Sequence, residues 1–186
     1  MNPLIRPFFL PTFRAAFLSA FLLLTAFSPA PAQEEKAPGT ATLVVGAATY
    51  EAPGGVAPVE LKQGDLIAVG GKVTTGPGAK VVILTSRQSA VRVGADTTLV
   101  FEEMEETPAG GGKPKVRLQL SSGSLGAMIN SKDFGEMDFS VKTPHGVAAA
   151  RGTFFAVAIS GDRSFAQVGE GVVEIQAADG GSAAEN

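Results

Sequence analysis

Short apolar segments recur along the chain from about Thr42 onwards, and turn-forming residues separate them. Examples are "AKVVILT", "TTLVFEE", "KVRLQL" and "MDFSVKT", in which apolar and polar residues alternate or the run is wholly apolar. Runs of four to eight residues that are rich in β-branched side chains and bounded by Gly, Pro, Asp, Asn or Ser are typical of strands. The best helical candidate, "GVAAARGTFFAVA", is opposed by Gly146, Gly152 and the β-branched Thr153. The pattern therefore predicts an all-β domain with little or no helix.

The first 32 residues have a different pattern, which is typical of an export signal. Arg6 and Arg14 are the only charged residues there, and the uninterrupted apolar run Ala15–Phe27 follows them. Ala30 and Ala32 then satisfy the small-x-small rule of signal peptidase, so we predict cleavage after Ala32. An uncleaved anchor is disfavoured because the apolar run is shorter than the roughly 18 to 20 residues needed to cross a bilayer. The mature protein is therefore expected to be periplasmic or secreted, with no retained membrane span.

The rest of the chain divides by composition. Residues 33–41 start with the polar "QEEKAPG" and predict a flexible leader, residues 42–177 contain the strand-like segments, and residues 178–186 predict a polar tail that frays. About 150 residues suffice for one domain with its own core.

Charge and cysteine content exclude several classes of function. The chain has 15 basic and 18 acidic residues; loss of the two arginines with the signal leaves 13 against 18, a net charge of −5. An acidic protein is a poor ligand for nucleic acid or anionic lipid, which need a basic face. The sequence contains no cysteine, so disulfides and thiolate metal sites are excluded. We expect neither a cofactor nor a metal.

The most informative stretch is "TPHGVAAARGTFFAV", residues 143–157. Thr143 and Pro144 are expected to end one strand, because proline lacks a donor and forces its predecessor into extended geometry. Gly146 starts the next strand. One of the two adjacent phenylalanines should then enter the core.

The same stretch predicts a bend in the backbone and the effects of two substitutions. Gly152 is expected to permit a bend that a Cβ would obstruct, with Arg151 capping it. We therefore expect Gly152→Val to unfold the domain and His145→Ala to be nearly silent.

Candidate chemistry in this chain has alternative structural explanations. His145, the single histidine, could serve a hydrolase, but no G-x-S-x-G elbow accompanies it and a surface turn position is favoured. Arg151 could hold a carboxylate or phosphate; a structural pairing of this residue is favoured. The acidic cluster could bind a hard cation, but it lacks the spacing of a dedicated loop, and a solvated strand end is the default. That cluster consists of Glu102, Glu103, Glu105 and Glu106.

Four motifs in order resemble the FecR domain family. "LKQGDLIAVGGKVTTG" contains Gly64, Asp65, Thr75 and Gly76; "VRLQLSSGSLGAMI" follows; and "FAQVGEGVVEI" contains Gly171. The most specific is "TP-x-GVA-x-x-RGT-x-F", represented by Thr143, Pro144, Gly146, Arg151, Gly152, Thr153 and Phe155. The resemblance runs from about Thr42 to Ile175.

The resemblance implies a non-enzymatic module. Family members that signal iron-citrate uptake join a cytoplasmic segment that contacts a sigma factor, one membrane helix and a periplasmic FecR domain. Because this chain is expected to have no cytoplasmic segment and no retained span, the resemblance implies a stand-alone exported domain. Together with the many short strands, it favours a solenoid-like or β-helical stack, with a two-layer β-sandwich as the alternative.

The leading functional hypothesis is an exported binding or signalling module that contacts an unknown protein of the bacterial envelope. The alternatives are a structural or glycan-associated envelope protein and a hydrolase that uses His145. Sugar stacking has little support, because the chain has no tryptophan and a single tyrosine, Tyr50.

Overall fold

A computed structural model describes residues 38–106, 112–177 and 182–184. Within these residues the structure is almost entirely β, with one four-residue helix, so the predicted all-β class is confirmed. The elements are β1 (Gly39–Val45), β2 (Ala48–Glu51), β3 (Val59–Glu60), β4 (Leu66–Ile67), β5 (Lys72–Thr75), β6 (Lys80–Ser86), β7 (Ser89–Val93), β8 (Thr98–Glu105), β9 (Lys115–Ser122), β10 (Ser124–Ile129), α1 (Ser131–Phe134), β11 (Asp138–Thr143), β12 (Gly146–Ser160), β13 (Arg163–Ala177) and β14 (Ser182–Ala184).

All fourteen strands belong to one curled sheet. The first half-sheet has the order β4-β1-β6-β7-β10, and the second half-sheet has the order β3-β2-β5-β8-β9-β11. β12 joins them, because its first part pairs with β11 and its second part with β10. β13 pairs along the other edge of β12, and β14 pairs with β13. Described neighbours run antiparallel except β9 and β11, which are parallel.

The path of the chain explains how this sheet differs from the expected stack. β1 lies in the first half-sheet, β2 and β3 in the second, β4 in the first and β5 in the second; β6 to β9 repeat the alternation in pairs. The chain thus winds back and forth, as in a solenoid. Its hydrogen bonds, however, make one mostly antiparallel sheet in place of a parallel β-helix or two separate sheets. Two-residue turns join β6 to β7, β11 to β12 and β12 to β13, and so short a connection is possible between antiparallel strands but not between parallel ones.

The core lies on the inner face of the curl. Side chains alternate between the two faces, as in β6 and β9, where every second residue is buried. Of the two adjacent phenylalanines, Phe155 is fully buried and Phe154 is exposed. Phe155 packs edge to face against Phe139, with ring centroids 5.8 Å apart.

The predicted domain boundaries differ from the structure at the start of the sheet. β1 begins at Gly39, and Ala41 is fully buried. Residues 39–41 therefore belong to the sheet and not to the leader predicted for 33–41. They pair with β4 and β6, whose backbone N–H and C=O groups need a neighbouring strand as partner.

The predictions for the two ends of the chain concern mainly residues that the structure does not describe. The predicted signal, 1–32, lies wholly outside it. In the predicted tail, 178–186, the described part is β14, which pairs with Glu174–Gln176 of β13. No helix in the described part of the chain is long and apolar enough to cross a membrane.

Candidate functional site

Gly64 and Asp65 build the turn before β4. The backbone of Gly64 has a φ of 94°, which favours glycine, and its N–H donates to the carbonyl oxygen of Ala41 at 2.8 Å. The Asp65 carboxylate accepts from the backbone N–H of Lys62 at 2.8 Å. Both residues therefore fix a turn and attach it to β1.

Thr75 and Gly76 hold three turns together. The buried Thr75 hydroxyl donates to the carbonyl oxygen of Gly94 at 2.6 Å and accepts from the N–H of Thr97 at 3.0 Å. The Gly76 N–H donates to the carbonyl oxygen of Ala47 at 2.8 Å. The β1–β2, β5–β6 and β7–β8 turns are thus joined at one end of the sheet.

The Arg151–Thr153 segment lies where β12 changes its neighbour. Residues Gly146 to Ala150 pair with β11, and Phe154 to Ala158 pair with β10. The register against β13 shifts between Arg151 and Phe154, and Gly171 in β13 has a φ of 92°. Gly152, at which we predict a bend, lies in this irregularity; the side chains at positions 152 and 153 lie outside the description.

Thr143 and Gly146 close the two-residue turn between β11 and β12. The Thr143 hydroxyl donates to the carbonyl oxygen of Gly146 at 3.0 Å and accepts from the N–H of His145 at 3.2 Å. Pro144 is exposed in this turn. A Cβ at Gly146 would lie 2.4 Å from the backbone oxygen of Gln176, so a side chain there would push β13 away.

His145 lies in a hydrogen-bonded chain that includes a serine. Its Nδ1 is 2.8 Å from Ser164 Oγ, which donates to Thr143 Oγ1 at 2.9 Å. Thr143 donates to Gly146 and Ser164 donates to Thr143, and the tautomer of His145 that completes this chain carries its proton on Nδ1.

This direction opposes the hydrolase alternative. A catalytic histidine must accept the serine proton through an unprotonated nitrogen, and a carboxylate usually orients it. In the tautomer that completes the chain the histidine donates, and no described carboxylate lies within ion-pair distance of the imidazole. The arrangement therefore anchors the β11–β12 turn to β13.

Arg151 is exposed on the outer face of the sheet, the face opposite the core. Strand alternation turns it outwards, beside the inward-facing and buried Ala150. It lines a shallow depression of about 460 Å³ with acidic and basic side chains. Within this depression Arg117 pairs with Glu103 at 2.9 Å.

The acidic cluster is dispersed by the same alternation. Glu103 pairs with Arg117, Glu106 accepts from the N–H of Arg87 at 2.6 Å, and Glu105 is buried. No group of three acidic, histidine or cysteine side chains in the described ranges could hold a metal ion.

The side chain of Tyr50 packs against the core. Its hydroxyl accepts from the N–H of Ala68 at 3.0 Å, and a Cβ at Gly71 would lie 2.6 Å from its ring. A ring held against backbone on one face offers little platform for a sugar.

An apolar groove crosses the outer face of the first half-sheet and the β12–β13 hairpin. Cross-strand pairing places five outward residues in one row: Val82, Arg92, Gly126, Ala156 and Gln167. Gly126 and Ala156 are small, so the middle of the row is low. This row is the floor of the outer groove, whose volume is about 540 Å³.

Two neighbouring rows form the walls of the outer groove. On one side, Met128 pairs with Phe154, and on the other Ala158 pairs with Phe165. Met128 is 60% exposed, and Phe154 and Phe165 are each 53% exposed. Such a contiguous exposed apolar surface marks an interaction site more often than isolated exposed residues do.

Sequence reasoning missed the outer groove because its residues come from five strands. One signal was present: in "TFFAVAI" the two adjacent phenylalanines cannot both face the core of a strand. The outward phenylalanine could therefore have been recognised, but its neighbours depend on the strand order.

Comparison with known proteins gives one positive result. No curated protein matches this sequence. No solved structure matches it either. The model of the family described as "FecR protein" matches residues 71–174, from β5 to β13 and more than half of the chain. That family is one of signalling and regulatory proteins that are not known as enzymes. The chain belongs to the FecR protein family, as the "TP-x-GVA-x-x-RGT-x-F" motif had indicated.

Proposed function

We propose that this protein is an exported, non-enzymatic FecR-type signalling module that binds another protein of the bacterial envelope through its outer groove. The observation that carries the proposal is the exposed apolar surface formed by Met128, Phe154 and Phe165 around a glycine and alanine floor. Large apolar side chains at the centre of a surface patch supply most of the energy of protein interfaces.

Export is supported by the sequence of residues 1–32, with its basic start, apolar run and small-x-small end. The acidic balance disfavours nucleic acid as a partner. The absence of enzymatic activity is supported by the family and by the direction of the His145–Ser164 hydrogen bond.

The proposal is tested by photo-crosslinking in the bacterium that encodes the protein. A photo-reactive phenylalanine analogue is placed at position 128 and, as the matched control, at position 56. Met128 and Val56 are 60% and 56% exposed, but Val56 lies outside the outer groove. We expect a discrete protein adduct from position 128 only, to be identified by mass spectrometry. Equal adducts from both positions, or none from position 128, would show that the outer groove does not bind a partner protein.

A further inference from the structure

We infer that the outer groove binds an extended peptide segment of a partner protein, apolar over about four residues, with a carboxylate at the end that lies over Arg92. The inference rests on the proposed function, because it names the chemistry of the partner at the same surface. Three observations carry it: the charge at one end of the groove, the dimensions of the floor and the openness of the surface to water.

Arg92 is the one charged residue among those that line the outer groove. It is exposed, and its cross-strand neighbours in the row are Val82 and Gly126, which carry no charge. Among the described residues no carboxylate lies within ion-pair distance of it. A guanidinium beside an apolar surface is suited to a carboxylate, which it can bind through two parallel hydrogen bonds.

The acidic side chain on the far side of the groove is already occupied. Glu170 lies across from Phe154 in the register of β12 and β13, and it accepts from Lys132 at 3.2 Å. The groove therefore has an unneutralised positive charge at β7, one strand in from Val82, and no matching negative charge at β13. This asymmetry gives the peptide a direction, with its carboxylate end at β7.

The part of the floor between Arg92 and Gln167 has the length of a short peptide. From Arg92 in β7 to Gln167 in β13 the row crosses three strand spacings, which is about 14 Å at about 4.8 Å each. An extended chain covers about 3.3 Å per residue, so about four residues span the floor. The walls lie two residues to either side along the strands, which leaves room for one chain.

The open side of the groove favours a peptide over a fatty acid. Successive side chains of an extended peptide point to opposite sides, so alternate apolar side chains can enter the groove while the others and the polar backbone face water. An acyl chain in the same open groove would leave about half of its apolar surface exposed to water, which is unfavourable. Gln167 and Ser124 at the border can bond to peptide N–H and C=O groups.

Gly126 makes a test possible without damage to the fold. A Cβ there would meet one backbone oxygen, that of Phe155, at 3.9 Å, which is ordinary contact. The Cβ of Gly126→Val therefore enters the groove without a clash with the sheet, and the side chain raises the floor. Because valine also favours strands, the melting temperature of the variant should be equal to that of the wild type or slightly higher.

The experiment uses the protein purified from cells that express the complete chain. The probes are pentapeptides whose last four positions vary over Ala, Val, Leu and Phe, each made with a free C-terminal carboxylate and as a C-terminal amide. A third set ends in an amide but has Asp at the last position. We expect binding of carboxylate-bearing peptides, about tenfold weaker binding of the plain amides, and loss of binding to both in Gly126→Val.

Arg92→Gln should weaken the binding of the carboxylate-bearing peptides about tenfold and leave the binding of the plain amides unchanged. Arg151→Gln is the matched control, since Arg151 is an exposed arginine of the outer face that lies outside the groove, and it should bind like the wild type. Comparison of the acid and Asp sets shows whether a chain terminus or a side chain supplies the carboxylate.

Several results would overturn the inference. They are equal affinity for acid and amide peptides, no effect of Arg92→Gln, binding of dodecanoate in place of peptides, and no binding of any peptide. The last result together with a crosslink from position 128 would leave the proposed function standing and refute the peptide. Peptide binding without a crosslink from position 128 would refute the partner protein and leave only an affinity of the groove for carboxylate-bearing peptides.

Discussion

Phe139 and Phe155 meet edge to face in the core, with their ring planes at 84° and their centroids 5.8 Å apart. Both rings are buried, and they connect β11 to the second part of β12, where β12 pairs with β10. The contact therefore ties the second half-sheet to the first at the inner face.

Loss of one ring of this pair should be costly. We expect Phe155→Ala to reduce the free energy of unfolding by about 3 to 5 kcal/mol, because it removes a fully buried aromatic side chain and leaves a cavity. Phe154→Ala, one residue away on the outer face, is the control and should cost far less. Urea unfolding of both variants measures the difference, and similar losses would contradict the assignment of faces.

The two glycines with opposite surroundings should respond oppositely to a side chain. Gly146→Ala should lower the melting temperature, because its Cβ would overlap the backbone oxygen of Gln176. Gly126→Ala should be neutral or stabilising by up to about 1 kcal/mol, since glycine in a strand costs about that much relative to alanine. Differential scanning calorimetry of the two variants decides the point; a stable Gly146→Ala would show that β13 does not approach β12 this closely.

The hydrogen-bonded chain at the β11–β12 turn should have a structural and not a catalytic role. Thr143→Val removes three hydrogen bonds at a buried position and should cost about 1 to 3 kcal/mol. His145→Ala loses one side-chain bond and should cost about 1 kcal/mol or less. Neither His145→Ala nor Ser164→Ala should change the hydrolysis rate of a nitrophenyl ester, which should equal that of buffer. If the wild type hydrolysed the ester faster than buffer and these variants did not, the result would support the hydrolase alternative.

Stability should depend on pH through Glu136. A hydrogen bond from Lys113, followed by the attraction of its charge, lowers the pKa of Glu136 below the ordinary value of 4.5. A lowered folded-state pKa means that the contribution is present above pH 4.5 and is lost as the pH falls through the lowered value. The free energies of unfolding of the wild type and Glu136→Gln should therefore converge below that pH. Because the pair is exposed, added salt should reduce the difference in free energy of unfolding between the two proteins at neutral pH. A difference that grows as the pH falls would contradict the lowered pKa of Glu136.

Processing of the export signal can be measured directly. Intact-mass analysis of the protein recovered outside the cytoplasm should give a chain that starts at Gln33. Ala32→Arg should block this cleavage, since signal peptidase requires a small residue there. Recovery of the full-length chain from the cytoplasm would contradict export.

Local sequence patterns predicted the strands well. The alternation in "KVRLQL" and "MDFSVKT" follows directly from the period of two in a half-buried strand, and the structure has β9 and β11 there. The Pro144–His145 turn could also be placed, because proline interrupts the ladder.

Pairing between distant strands could not be predicted. The order of the sheet brings Arg92 next to Gly126 and Gly126 next to Ala156, although none of these residues is unusual in its own segment. The face of the sheet on which Arg151 lies could not be predicted either, because the surrounding sequence is apolar at most positions and only the register identifies which face meets the core.

The position of β12 has a consequence for how the molecule assembles. Among the described strands, β10 and β11 are joined only through β12, so the described residues before Gly146 form two incomplete ladders with open edges. Such edges are prone to pair with other chains until they are covered. Folding should therefore be slow and governed by the arrival of the C-terminal segment, and a chain shortened before that point should aggregate and not form a smaller stable domain.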